Sequence, residues 1–186
     1  TGLPETAAEL SSRYGVRAEA LELDLTSPDS AEKIESFMRE RGIAVDMLIN
    51  NAGLSHHGPF LGTPLAEHEA LIELNVKSLV RLTHLLLPEL QRHHRAYLLN
   101  VASLAALYMM PLKTVYAPSK SFVLSFTLAL REELRGSSVR VCALCPGGVV
   151  TNALVRKLIA AQGLIGRLSC QQPREVASYA IRCLLR

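Results

Sequence analysis

Between Ala18 and Leu25 the chain reads AEALELDL, with leucines at 21, 23 and 25 alternating with Glu22 and Asp24. A period of two marks a strand with one face covered and the other wet. Ser27 and Pro28 follow as a cap and a first helical residue, and they predict a helix running to Gly42. The next apolar run, VDMLIN from Val45, is almost unbroken, as in a strand covered on both faces. From Thr63 and Pro64 to the His93 region the pattern turns helical, and AYLLNVAS (Ala96 to Ser103) then gives a second buried strand. Phe122, Phe126 and Leu130 recur at helical spacing behind Tyr116 and predict a helix that stops at Gly136. VRVCALCPG, Val139 to Gly147, supplies a third buried strand. Strand and helix alternate throughout, which predicts a parallel α/β sheet.

Composition narrows the class. With 186 residues, 49% hydrophobic and 20% charged, the chain can bury a real core, and no repeat or low-complexity linker divides it. One domain over residues 1–186 is expected. A net charge of +3, from 20 basic and 17 acidic residues, is too small for a nucleic-acid footprint, and RHHR (Arg92 to Arg95) reads as a solvated helix end. Cys142 and Cys145 form a C-x-x-C pair, but Cys170 and Cys183 do not repeat its spacing, so no metal is expected. The longest uncharged run, Ala96 to Leu112, carries Asn100, Ser103 and Pro111 and makes a poor membrane span. Nor is there a basic-then-apolar leader, and a cytoplasmic location is the expectation.

In open parallel sheets, ligands bind beyond the carboxyl ends of the strands. The residues there are Asp24 and Leu25, then Asn50, Asn51, Ala52 and Gly53, then Ser103, then Pro146, Gly147 and Gly148. Small residues at such positions let a ligand approach the backbone, although each stretch alone is also an ordinary turn. YAPSK, Tyr116 to Lys120, sets a phenol and an ammonium four residues apart, one above the other on a helix face. Phenols titrate near ~10, too high for acid-base work at neutral pH. At an effective dielectric near 20, an ammonium ~4 Å away favours the phenolate by about 4 kcal/mol, while burial works against it. A second positive charge in the site would complete the shift.

LINNAG (Leu48 to Gly53), Asn75 in LNVKS, Ser103 in NVASLAA, YAPSK and PGGVVT (Pro146 to Thr151), in this order and at this spacing, closely resemble the short-chain dehydrogenase/reductase family. YAPSKSFVLSFTLALREEL looks most like its general ketone and acyl reductase branch. The resemblance implies a Rossmann-like doubly wound parallel sheet and hydride transfer between NAD or NADP and a carbonyl or secondary alcohol. Tyr116 would exchange the proton with the substrate oxygen, Lys120 would hold the nicotinamide ribose and assist the phenol, and Ser103 would donate to the carbonyl oxygen. Asn75 would hold a water linking Lys120 to solvent. Asp24 and Leu25 would face the adenine, Asn51, Ala52 and Gly53 would line the adenosine ribose, and Pro146, Gly147, Val149 and Thr151 would flank the nicotinamide and its phosphates. Relatives associate through the helices around Asn75–Leu90 and Tyr116–Leu134, so a homodimer or homotetramer is expected.

The pattern also breaks. The family's glycine-rich phosphate loop is absent from TGLPETAAELSSRYGV, residues 1–16, which instead reads as the helix before the Asp24 strand. The chain is therefore expected to lack the family's first two strands and its last, and with them the residue that separates NAD from NADP. In the family's strand order, 3-2-1-4-5-6-7, the Asp24 strand would then lose its neighbour. Leu104, Leu107, Tyr108, Met109, Met110 and Pro111 after Ser103, and Ala153, Leu154, Val155, Leu158 and Ile159 after Thr151, suggest an apolar substrate, although cores look alike in sequence. His56 and His57 read as solvated loop residues rather than catalysts, since Tyr116 fills the acid-base post. The alternative is a non-catalytic dinucleotide-sensing or interaction protein that keeps the fold.

Overall fold

The computed structural model describes residues 2–149 and 170–186. The described chain forms two compact units, residues 1–44 and 45–186. In the first, α1 (Leu3–Tyr14) and α2 (Ser30–Arg41) each end on a glycine in the left-handed region, Gly15 at φ 64° and Gly42 at φ 61°. A side chain there would strain the backbone, and the glycine lets the last carbonyls be capped. α2 starts at Ser30 and not at Pro28. Ser30 N donates to Ser27 O at 3.1 Å, closing a turn, and the Asp29 carbonyl then accepts the first helical bond, from Lys33 N at 3.1 Å.

Ala18–Leu25 forms no strand, contrary to the pattern's prediction. Its alternation survives in the burial, with Leu21, Leu23 and Leu25 half-buried and Glu22 and Asp24 exposed. A strand needs a neighbouring strand's N–H and C=O groups, and among the described residues no strand forms a ladder with this segment. Periodicity marks which face is covered; it cannot supply the partner.

The second unit holds a three-stranded parallel sheet in the order β1-β2-β3. β1 is Met47–Asn50, β2 Ala96–Val101 and β3 Val139–Leu144, each shorter than its predicted run by two or three residues at one end. Parallel neighbours require long crossovers, and helices provide them. α3 (Leu65–Ile72) continues through a π-helical turn, Glu73–Ser78, into α4 (Leu79–Leu90), and α5 (Tyr116–Glu133) leads into β3. Gly148–Val149 (β4) and Cys170–Gln171 (β5) pair as a short parallel ladder, and α6 (Pro173–Leu185) ends the chain. This is a Rossmann-like α/β arrangement.

β2 is buried along its first five residues because both its faces are covered. Leu98 joins Leu90, Ala96, Val139 and Val141 in one apolar cluster, while Tyr97 and Leu99 join Ala180 and Leu184 of α6 in another. At the carboxyl end the core turns polar. Asn50 and Asn100 face each other in register, and Asn50 Nδ2 donates to Asn100 Oδ1 at 2.9 Å and to Thr83 Oγ1 at 3.1 Å. Asn100 Nδ2 donates in turn to Thr127 Oγ1 at 2.9 Å. This ladder runs from α4 through β1 and β2 to α5, just beneath the residues that follow the strands.

Candidate active site

Above that ladder opens a cleft of about 780 Å³. Asn51, Gly53, Leu54 and Ser55 line it after β1, Val101, Ala102 and Ser103 at the end of β2, and Pro146, Gly147 and Val149 after β3. Tyr116 and Lys120 enter from the first turns of α5, one turn apart on the same wall, as their spacing requires. Pro118 sits in the helix's first turn, where its missing N–H breaks no helical bond.

Lys120 is only 6% exposed. Its Nζ donates to the Val101 carbonyl at 2.9 Å, and burial lowers its pKa from the ordinary 10.5 because water no longer solvates the ammonium. Asn75, in the π-helical turn, is buried behind it. Asn75 Oδ1 accepts from Leu54 N at 2.8 Å, while its Nδ2 donates to Leu54 O at 2.9 Å and to Ser119 Oγ at 3.0 Å. Ser119 Oγ donates to the Tyr116 carbonyl at 2.7 Å. One unbroken chain of bonds therefore joins the loop after β1 to the backbone that carries the phenol.

Gly53 explains itself by space and not by dihedral. A Cβ there would lie 3.1 Å from Asn75 Oδ1 and 3.3 Å from Lys120 Nζ, closer than two hydrogen-bonded, buried groups tolerate without shifting. Ser103 has extended backbone and caps the short 3-10 turn Leu104–Ala106, its Oγ accepting from Ala105 N at 3.1 Å. With Oγ acting there as acceptor, the hydroxyl hydrogen remains to be donated. Leu104 N donates to Pro146 O at 2.9 Å and ties the loop after β2 to the one after β3.

The expected site residues divide accordingly. Asn51, Gly53, Ser103, Tyr116, Lys120, Pro146, Gly147 and Val149 come together around the cleft. Asn75 backs it without lining it, and Ala52 is exposed beside it. Asp24 and Leu25 belong to the first unit, where Thr26 N and Thr26 Oγ1 donate to Asp24 Oδ1 at 2.9 and 2.7 Å; the Thr26 hydroxyl above all lowers the Asp24 pKa. Thr151 and the apolar residues Ala153 to Ile159 lie outside the described residues. Cys145 and Cys142 have their pKa raised, chiefly by burial, which keeps both protonated.

Sequence reasoning missed α6 altogether. Pro173, Val176, Ala177, Ala180 and Ile181 form one wall of the cleft. Their spacing after Gln172 and Pro173 was the available signal, an amphipathic helix with small residues on its inner stripe. It also missed Ser119, whose role depends on a partner 44 residues away in sequence.

Comparison with known proteins now bears on this geometry. The family model described as short chain dehydrogenase matches residues 2–161. The very-long-chain 3-oxoacyl-CoA reductase of Bos taurus is 31% identical over 80% of this chain and 48% of its own length. Ketoacyl reductase HetN of Nostoc sp. is 29% identical over 99% of this chain and 63% of its own. The chain thus spans about half to three-fifths of these curated relatives. A short-chain dehydrogenase from Sphingobium yanoikuyae, solved in complex with NADPH, superposes with TM-score 0.83 at 30% identity, over 96% of this chain and 68% of that one. A 7beta-hydroxysteroid dehydrogenase studied for its stereoselectivity gives TM-score 0.87 at 26% identity, over 98% and 70%. With the matched model spanning most of its length, and the strand-end cleft built from the residues that the motifs mark, the chain belongs to the short chain dehydrogenase family.

Proposed function

We propose that the full-length parent is an NAD(P)-dependent oxidoreductase that interconverts a carbonyl compound and its secondary alcohol, with Tyr116 as acid and base. The observation that carries this reading is the shared wall: Ser103, Tyr116 and Lys120 line one cleft, with the Lys120 ammonium buried and anchored on Val101 O at 2.9 Å. A dinucleotide suits the cleft's small-residue rim, where Gly53, Pro146 and Gly147 leave the backbone open to approach, and where a Cβ on Gly53 would crowd Asn75 and Lys120. Asn51, Ala52 and Gly53 would line its adenosine ribose, and Pro146, Gly147 and Val149 would flank its nicotinamide and phosphates. The cofactor, NAD or NADP, supplies the hydride.

The protein's own part is proton handling and aim. Ser103 donates its free hydroxyl hydrogen to the substrate oxygen and fixes it beside Tyr116. Tyr116 gives up its proton in reduction and takes one in oxidation, and Lys120 stabilises the phenolate left behind. Asn75 holds the loop and helix in register through Leu54 and Ser119, and its remaining Oδ1 lone pair can anchor a water for the proton's return. Beside the cleft lies a cavity of about 540 Å³, lined by Leu107, Tyr108, Met109, Met110 and Pro111, which favours a lipophilic substrate. Phe122 and Leu128 are 40% and 44% exposed on α5 and support association of copies through that helix, and free cysteines suit a reducing, cytoplasmic setting.

The test is NAD(P)H consumption by the full-length protein and its Tyr116→Phe variant. Loss of proton transfer should lower kcat by about a hundred- to ten-thousandfold. An undiminished rate would contradict the assignment.

A further inference from the structure

Lys113 stands apart among the described lysines. Lys33 pairs with Asp29 at 2.8 Å, Lys77 with Glu73 at 2.8 Å, and Lys120 Nζ donates to Val101 O at 2.9 Å. Lys113 Nζ lies 5.0 Å from the centroid of the Tyr116 ring, and among the described residues no carboxylate or carbonyl accepts from it. Its side chain is half-buried. An ammonium with no counter-charge, set against an apolar wall, is available for a charge-assisted bond to a bound anion.

The surroundings say what else that anion carries. Among the described residues, Lys113 is the one charged residue on the wall of the 540 Å³ cavity, whose other lining includes Leu107, Tyr108, Met109 and Met110. Leu107, Tyr108 and Met109 are 61%, 55% and 96% exposed, so this apolar wall is open to a ligand. On the opposite side the Glu67 carboxylate is engaged by His56, whose Nδ1 faces Glu67 Oε2 at 3.3 Å while its Nε2 faces Thr63 Oγ1 at 2.8 Å. The turn that presents Lys113 is held in place. Leu112 sits in the left-handed region at φ 64°, rare for a leucine, and its carbonyl accepts from Gly58 N at 2.8 Å.

We propose that Lys113 is a specificity-determining residue that binds an anionic group on an otherwise apolar carbonyl substrate, with the apolar part lying along Leu107–Met110. The proposal rests on the oxidoreductase reading and adds the substrate's charge to it. An acid and its neutral ester or amide therefore differ in affinity, and they differ through this one ammonium.

The experiment measures equilibrium binding of decanoate and of decanamide to the full-length parent and to its Lys113→Met and Lys113→Arg variants, together with turnover of a long-chain oxo acid and its methyl ester. Loss of a charge-assisted hydrogen bond should weaken decanoate about ten- to a hundredfold in Lys113→Met and leave decanamide within about twofold, while Lys113→Arg stays near the parent. In turnover the loss should fall on KM for the acid and spare the ester. Failure of the parent to bind decanoate, equal weakening of both ligands, or unchanged decanoate affinity in Lys113→Met would each overturn the proposal. So would a fall in kcat with KM fixed for acid and ester alike, which would make Lys113 a partner of Tyr116 instead. Binding needs no turnover, so an undiminished rate in Tyr116→Phe would remove the mechanism and leave this result standing.

Discussion

Lys120 shows how a buried ammonium weighs on the fold. Its burial lowers its pKa from 10.5, so the folded chain releases that proton at a lower pH than the unfolded chain does. Between the two values the unfolded state binds more protons, and stability rises with pH across that window. Below it, the charge stays on and its burial costs stability. Cys142 and Cys145 act in the opposite direction: burial raises them above 9.0, so their contribution falls as the unfolded thiols ionise. The native curve is thus a sum of opposed slopes, and the difference between variants isolates one of them. Lys120→Met should show a Tm advantage over the native chain that shrinks as pH rises through the alkaline window, by up to about 1.4 kcal/mol or roughly 2–4 °C per pH unit. Thermal melts at stepped pH measure it, and a difference that stays level with pH would remove the burial argument.

At the scale of elements, the site depends on how α4, β1, β2 and α5 are locked together. Asn50, Thr83, Asn100 and Thr127 form a polar ladder in which Asn100 has no exposure and the two threonines are 1% exposed. A satisfied ladder fixes register and helix position; a broken one leaves buried donors unpaired. Asn100→Leu should cost about 2–4 kcal/mol, roughly 5–15 °C in Tm, because Asn50 Nδ2 and Thr127 Oγ1 both lose a partner. Denaturant melts check it, and a loss below about 0.5 kcal/mol would show that the neighbours re-pair. This layer was only half legible in the sequence. VDMLIN and AYLLNV announced buried strands by their apolar runs, but Asn50 read as a strand-end turn residue and Asn100 only as a polar break in an uncharged run. Nothing local says that Asn50 and Asn100 meet, since that follows from a parallel register between segments fifty residues apart. The helix over Tyr116–Glu133 was clear because its spacing, its first-turn proline and its glycine stop agree, whereas Ala18–Leu25 carried a strand's alternation without the neighbour a strand needs.

Across the whole molecule the same distinction separates the two units. The motifs NNAG, YAPSK and PGG could be read in order because each lies within a few residues, and the cleft confirms that their segments converge. The α6 wall and the Asn75–Ser119 link were hidden because they are made by the fold. Stability is divided as unevenly. Each of the three apolar clusters lies within residues 45–186, while α1 buries no residue and α2 buries only Ser30. Twelve-residue helices are marginal in water unless an apolar face is packed. Amides of Leu3–Tyr14 and Ser30–Arg41 in the 186-residue chain should therefore exchange through local opening, while those of β2 and the middle of α5 exchange only with the unfolding of the second unit. Hydrogen exchange followed by mass spectrometry should show protection in α1 and α2 lower by about a hundredfold or more, a gap of roughly 3 kcal/mol in opening free energy. If added denaturant brings both units to exchange together with equal protection, the first is cooperatively coupled to the second, and the uneven burial does not govern how the chain opens.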